Sequence, residues 1–167
     1  MTIAKNIEDM AEELWRSSGK PIPVDVYAVA SAHDIIIVDD DLQDNISGVL
    51  FAESDPVIIG VNRHHHYNRK RFSIAHELGH YFQHRGSSKL FIDVFLRDER
   101  SSEGIDPQEM DANAFAAALL MPKEAIFEYL RKYPTDLLDE IGIRQMAAHF
   151  EVSSQAMIIR LTRLDLV

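Results

Sequence analysis

Apolar residues recur at helical spacing from Ile3 to Ser17, with Ile3, Ile7, Met10, Ala11, Leu14 and Trp15 on one stripe. Ser17-Ser18-Gly19-Lys20-Pro21 ends that run. Val24 to His33 predicts a shorter amphipathic helix, opened by the Pro23-Val24-Asp25 region. Ile35-Ile36-Ile37-Val38 is short and β-branched, which predicts a strand. Ser47 to Glu53 and Val57 to Val61 predict two more, joined as an antiparallel hairpin by Ser54-Asp55-Pro56. Helical spacing returns in Arg71 to Tyr81, where Phe72, Ala75, Leu78 and Gly79 share a face. Lys89 to Leu96 is apolar enough for a further short strand, and Arg97 to Asp106 is polar and predicts a loop. Pro107 to Pro122 predicts a helix with proline in its first turn and proline at its end. Its apolar stripe is Ala112, Phe115, Ala116, Leu119 and Leu120, and its many alanines permit a close helix neighbour. Ile143 to Val167 predicts a helix, a tight turn and a second helix capped by Ser153.

This order predicts an α+β fold. A small three-stranded, mainly antiparallel sheet packs with the Arg71–Tyr81 helix and further helices, and a helical pair closes the chain. A length of 167 residues is most simply one domain, with 1–122 as its core and 123–167 as a helical tail.

Within the Arg71–Tyr81 helix stands His76-Glu77-Leu78-Gly79-His80, an HExxH pattern. Residues four apart lie on one helix face, one turn apart, so the two imidazoles can reach one tetrahedral Zn²⁺. Glu77 lies about 100° round the helix from His76. There it flanks the metal without binding it, where it can hold the attacking water and take its proton. Gly79 costs a helix interior about 1 kcal/mol against alanine, so something must pack closely on it. The motif is short enough to arise by chance, and the rest of the chain must supply a third ligand.

Glu109 is the best candidate for that ligand, at the start of a helix expected to pack on the HExxH helix. Asn113, four residues on, shares its face and can orient Glu109 or accept a hydrogen bond from a ligand histidine. Asp111 is the rival, but it points about 200° away from Glu109 and is expected to be exposed. Glu109 can also be read as a surface acid favoured by the helix dipole.

The other metal-like residues read differently. His64-His65-His66 precedes the HExxH helix as a polar loop, and Asp39-Asp40-Asp41 lacks the alternation and glycine of a Ca²⁺ loop. His84 lies two turns from His76, about 12 Å along the axis, too far to share one ion with both. Residues 61–90 carry 6 basic groups and 1 acidic, although the whole chain has a net charge of −10. That local basic zone is most simply the solvated outer face of the helix. The overall charge argues against nucleic acid or an anionic membrane as a partner. The tail has helix-turn-helix character, but its 3 basic and 2 acidic groups are too few net cations for phosphate contacts. The chain has no cysteine, no apolar leader and no membrane-length stretch, which together predict a cytoplasmic protein.

Two stretches together resemble the ImmA/IrrE-like zinc metallopeptidases, whose site plan is related to that of the gluzincins. They are Arg71-Phe72-Ser73-Ile74-Ala75-His76-Glu77-Leu78-Gly79-His80 and Glu109-Met110-Asp111-Ala112-Asn113-Ala114-Phe115-Ala116, followed by Leu119-Leu120-Met121-Pro122. Ser47-Gly48 and the strand from Val57 to Asn62 are similar to the family's sheet. The resemblance implies a zincin-like fold with ligands at His76, His80 and Glu109. It also implies cleavage of a helix-turn-helix transcriptional repressor in mobile-element or stress regulation. Many members carry an added DNA-binding or sensor module, and this sequence shows neither.

The expected activity is a zinc-dependent endopeptidase with Glu77 as the catalytic base. Its peptide substrate would lie extended beside the Val57–Val61 strand. Tyr81, His66 and Tyr67 are the candidates for stabilising an oxyanion. The alternative is a non-catalytic zinc-containing module that binds a regulator through its helical tail. The presence of Glu77 argues against that alternative, because a purely structural zinc site has no use for a base.

Overall fold

The computed structural model describes residues 2–84, 90–94 and 106–167, with 2–5, 93 and 94 described by their backbone alone. In chain order the elements are α1 (Thr2–Ser17), α2 (Val26–Ser31), β1 (Ile35–Asp40), β2 (Ile46–Phe51), β3 (Val57–Asn62), α3 (Tyr67–Gln83), β4 (Leu90–Val94), α4 (Pro107–Leu120), α5 (Lys123–Lys132), α6 (Glu140–Phe150) and α7 (Ser154–Arg163). They form two compact units, one of residues Val26–Ala116 and one of Met1–Asp25 with Ala117–Val167. Most of the expected Arg97–Asp106 loop lies outside the described residues.

The Val26–Ala116 unit is built on a four-stranded sheet of order β1-β3-β2-β4. β1 runs parallel to β3, while β2 is antiparallel to both β3 and β4. The fold is therefore α+β as expected, but the three-stranded sheet is corrected to four strands with one parallel pairing. The β2–β3 hairpin forms as anticipated, and its second strand then slots between β2 and β1. β3 reads Val57-Ile58-Ile59-Gly60-Val61-Asn62, an almost unbroken apolar run suited to an interior strand. This corrects the docking expectation too. Both edges of β3 are hydrogen-bonded to neighbouring strands, so no peptide can add beside Val57–Val61.

α3 packs against β2 and β3. His66 caps it, with Nδ1 accepting from the Asn68 amide at 3.2 Å. From Ser73 to His80 every residue is buried, so the apolar stripe understates how deeply the helix sits. The basic zone before and within α3 does more than solvate its outer face. Lys70 pairs with Asp39 at 2.6 Å, Arg69 donates to the buried Ser47 hydroxyl at 2.9 Å, and Arg71 is itself buried. His64 contacts Asp41 at 2.7 Å and His65 contacts the Asp44 carbonyl at 3.2 Å. The histidine run and the acidic turn thus hold a loop together.

Gly79 meets the close neighbour its cost implied. A Cβ built there would lie 3.0 Å from Ala112 Cα, 3.1 Å from the Ala112 carbonyl oxygen and 3.2 Å from Phe115 Cβ. Two of those three atoms are backbone, so α3 and α4 would have to separate. Gly79→Ala gains about 1 kcal/mol of helix propensity. Overpacking of a dense core costs about 1–3 kcal/mol and should win. The expected result is a lower denaturant midpoint at unchanged slope; a higher midpoint would show that propensity dominates.

In the second unit, Ile7, Ala11 and Trp15 form the buried stripe of α1, and Trp15 Nε1 donates to the Pro21 carbonyl at 3.0 Å. α5 was not anticipated; it follows Pro122 directly and buries Ala125 and Ile126. The tail forms the expected helix, turn and helix, with Ser153 Oγ accepting from the Ala156 amide at 3.0 Å. Arg160 of α7 is buried, donating to the Met121 carbonyl at 2.9 Å and pairing with Glu8 through two nitrogens. Arg144 pairs with Glu140 at 2.6 Å. Arg160 is thus engaged within the protein rather than displayed for phosphate, while the Arg144–Glu140 pair lies at the surface. Among the described residues no helix is long and apolar enough to cross a membrane.

Candidate metal centre

α3 presents His76 and His80 one turn apart, and the first turn of α4 brings Glu109 to them. His76 Nε2 lies 3.1 Å from His80 Nε2 and 3.1 Å from Glu109 Oε2, and His80 Nε2 lies 3.0 Å from Glu109 Oε1. Both histidines are buried, and Glu109 is half-buried. These three side chains form a group able to hold a metal ion.

The donor set fits zinc. Ligands about 2.0–2.1 Å from a tetrahedral Zn²⁺ stand about 3.3 Å from one another, close to the spacing here. Three lone-pair donors this close repel unless a cation or a proton lies among them. The nearby histidines have a matching effect on Glu109. Hydrogen bonds from His76 and then His80 hold its carboxyl well below the usual carboxylate range, despite partial burial that acts the other way. Glu109 therefore stays ionised, the form a divalent cation binds.

Asn113 lies one turn along α4 from Glu109. Its side-chain oxygen is 3.0 Å from His76 Nδ1, so Nδ1–H donates to it, and Nε2, which donates to Glu109 here, would offer its lone pair to a metal on losing that proton. Of the two options for Asn113, the structure brings it to the histidine. Asp111, the rival ligand, is outside the group; it is half-buried, and its carbonyl accepts from Gln83 at 3.3 Å.

Glu77 is fully buried beside His76, with its carboxylate against β2. His84 does not join the metal group, and its imidazole is pushed below the ordinary histidine range by burial and by His80. The oxyanion candidates have other contacts. His66 caps α3, Tyr67 has the Arg71 guanidinium 5.8 Å above its ring, and Tyr81 meets Phe82 edge-on at 5.1 Å.

Two residues near the site were given no role there by the sequence. Phe91 of β4 stacks on the His80 ring, with centroids 4.4 Å apart and planes 19° apart. The apolar Lys89–Leu96 stretch marked a strand but could not say which helix its side chains would meet. Gly48 lies against Glu77, as developed below.

The peptidase family described as the IrrE N-terminal-like domain matches residues 30–162. Over 153 residues, spanning 90% of this chain and 81% of the relative, the sequence is 28% identical to metallopeptidase ImmA of Bacillus subtilis (strain 168). Over 117 residues, 70% of each chain, it is 28% identical to immunity region protein 2 of Bacillus phage phi105. With this match running through β1, the HExxH helix, Glu109 and the tail, the chain belongs to the ImmA/IrrE family.

Proposed function

We propose that the protein is a zinc-dependent endopeptidase that cleaves a helix-turn-helix transcriptional repressor. The observation carrying this reading is the convergence of two imidazole nitrogens and one carboxylate at 3.0–3.1 Å beside a buried glutamate. His76, His80 and Glu109 would hold the ion, and Asn113 would fix the His76 tautomer. When bound, the ion supplies Lewis acidity toward a water molecule and a peptide carbonyl. Glu77 accepts the proton of the attacking water and returns it to the leaving amine. The burial of Glu77 keeps bulk water from competing for that proton. Three protein donors among the described residues, rather than four, support catalysis over the structural-zinc alternative.

An extended peptide has a better platform in β4 than in β3. Among the described residues β4 pairs with β2 alone, and its Phe91 stacks on His80. A substrate strand added there would run past the metal group. The repressor as substrate rests on the family resemblance; the relatives' names, an immunity region protein and metallopeptidase ImmA, fit a protein substrate without naming one. The absence of cysteine fits work in a reducing cytoplasm.

The test incubates the purified protein with a purified helix-turn-helix repressor from the same genome. Specific cleavage is expected with zinc, is lost on chelation and returns when zinc is restored. Cleavage that survives complete metal removal overturns the zinc mechanism.

A further inference from the structure

The Glu77 carboxylate lies where one side chain of the sheet is missing. A Cβ built on Gly48 would stand 3.0 Å from Glu77 Oε1, 3.2 Å from its Cγ and 3.5 Å from its Cδ. We infer that Gly48 is a positioning residue for the catalytic base: the bare backbone of β2 at this point fixes where the Glu77 carboxylate sits. The inference rests on the peptidase reading above and adds to it a determinant outside the HExxH helix.

Two further features hold the β2 backbone at this place. Gly48 pairs with Val61 on one side and Asp93 on the other, and the pairing with β4 shifts register between Ile46 and Gly48. Such irregularities re-aim a strand locally and are common beside active sites. The residue within the shift, Ser47, is buried and accepts a hydrogen bond from Arg69 of α3 at 2.9 Å. One end of α3 therefore anchors the strand segment that the Glu77 side chain of the same helix packs against. Strand and base are linked through a single element.

The two tight glycines of this unit differ in what would have to yield. At Gly79 the obstacle is mainly backbone, so a methyl group acts on stability. At Gly48 all three nearest atoms belong to the Glu77 side chain. A methyl group there is accommodated by moving the carboxylate a few tenths of an ångström, with the fold kept. Small misplacements of a reacting group are costly: about 1 Å can lose about 100-fold, so a shift of this size should lose on the order of 10-fold.

The experiment compares Gly48→Ala, Glu77→Asp and the double variant with the parent protein, all loaded with zinc. For Gly48→Ala we expect full zinc stoichiometry, an unchanged melting temperature, kcat lower by about 10-fold and KM little changed. Glu77→Asp withdraws the carboxylate by one methylene and removes the 3.0 Å contact with Oε1, leaving the approach to Cγ at 3.2 Å. The double variant should therefore lose far less relative to Glu77→Asp than Gly48→Ala loses relative to the parent. Undiminished kcat in Gly48→Ala, or losses that multiply in the double variant, overturn the inference. Should Gly48→Ala fail to fold, recovery of folding by Glu77→Asp supports the contact, and continued misfolding refutes it. Glu77→Gln separates the two levels. Full activity in that variant removes the peptidase reading itself, whereas an inactive Glu77→Gln with a fully active Gly48→Ala removes only the role of Gly48.

Discussion

Glu77→Gln is expected to lower kcat by about 10²–10⁴-fold while zinc stays bound, because the amide keeps the shape of the carboxylate and cannot accept a proton. The side chain is fully buried, with one oxygen 3.0 Å from where a Gly48 Cβ would stand. An isosteric replacement therefore leaves the packing against β2 intact. Neither metal-side nitrogen is touched, so zinc content measured by mass spectrometry should match the parent. A buried carboxylate is also expensive to desolvate, and its neutral replacement should not lower the melting temperature. The expected pattern is thus lost turnover at full metal loading and full stability. If the variant cleaves a substrate at the parental rate with zinc in place, Glu77 is not the base.

Glu109→Ala tests the other half of the site. It should weaken zinc binding by more than about 100-fold, since losing a mere hydrogen-bonding partner of a ligand already costs about 10–100-fold. Calorimetric titration of the apoprotein reads this directly. Thermal unfolding reads it again through linkage. Free zinc at 100 times its dissociation constant stabilises the parent by about 2.7 kcal/mol. The same concentration would give a variant bound 100-fold more weakly only about 0.4 kcal/mol. Without metal the two proteins should unfold at similar temperatures, because Glu109 is half-exposed and its pairing with the histidines is screened by solvent. Parental zinc affinity in Glu109→Ala would make the two histidines a site without this carboxylate, and the pairing of α3 with α4 would lose its functional meaning.

The chemistry of the site was legible in the sequence because it is local. HExxH needs only the helical repeat to bring His76 and His80 together, and Glu109 and Asn113 need only a second helix with both on one face. Gly79 was informative for the same reason. A residue that weakens its own helix must answer to a neighbour, and the alanine-rich Pro107–Leu120 helix was the natural one. The Ser153 cap and the β2–β3 hairpin also depend on neighbouring residues, and both stand where the pattern put them.

What the pattern could not carry is the order in which distant segments meet. Strand alternation identifies faces but not partners, so it could not place β3 inside the sheet, β4 at its edge or β1 parallel to β3. Arg160 looked like a tail cation until tertiary packing buried it against Glu8, more than a hundred residues away. Gly48 stood only in the Ser47-Gly48 stretch that resembles the family's sheet, and Phe91 as one apolar residue among several. Each acquired its place only when the sheet was laid on α3, one beneath the Glu77 carboxylate and one across the His80 ring. By itself the sequence nominated His76, His80 and Glu109 as donors with Glu77 beside them; periodicities over one or two helical turns paired the two histidines and set Asn113 on the face of Glu109, and the family resemblance joined the two helices. Tertiary structure decided the order of the strands and which backbone Glu77 rests on, because those depend on register between segments that local pattern leaves free.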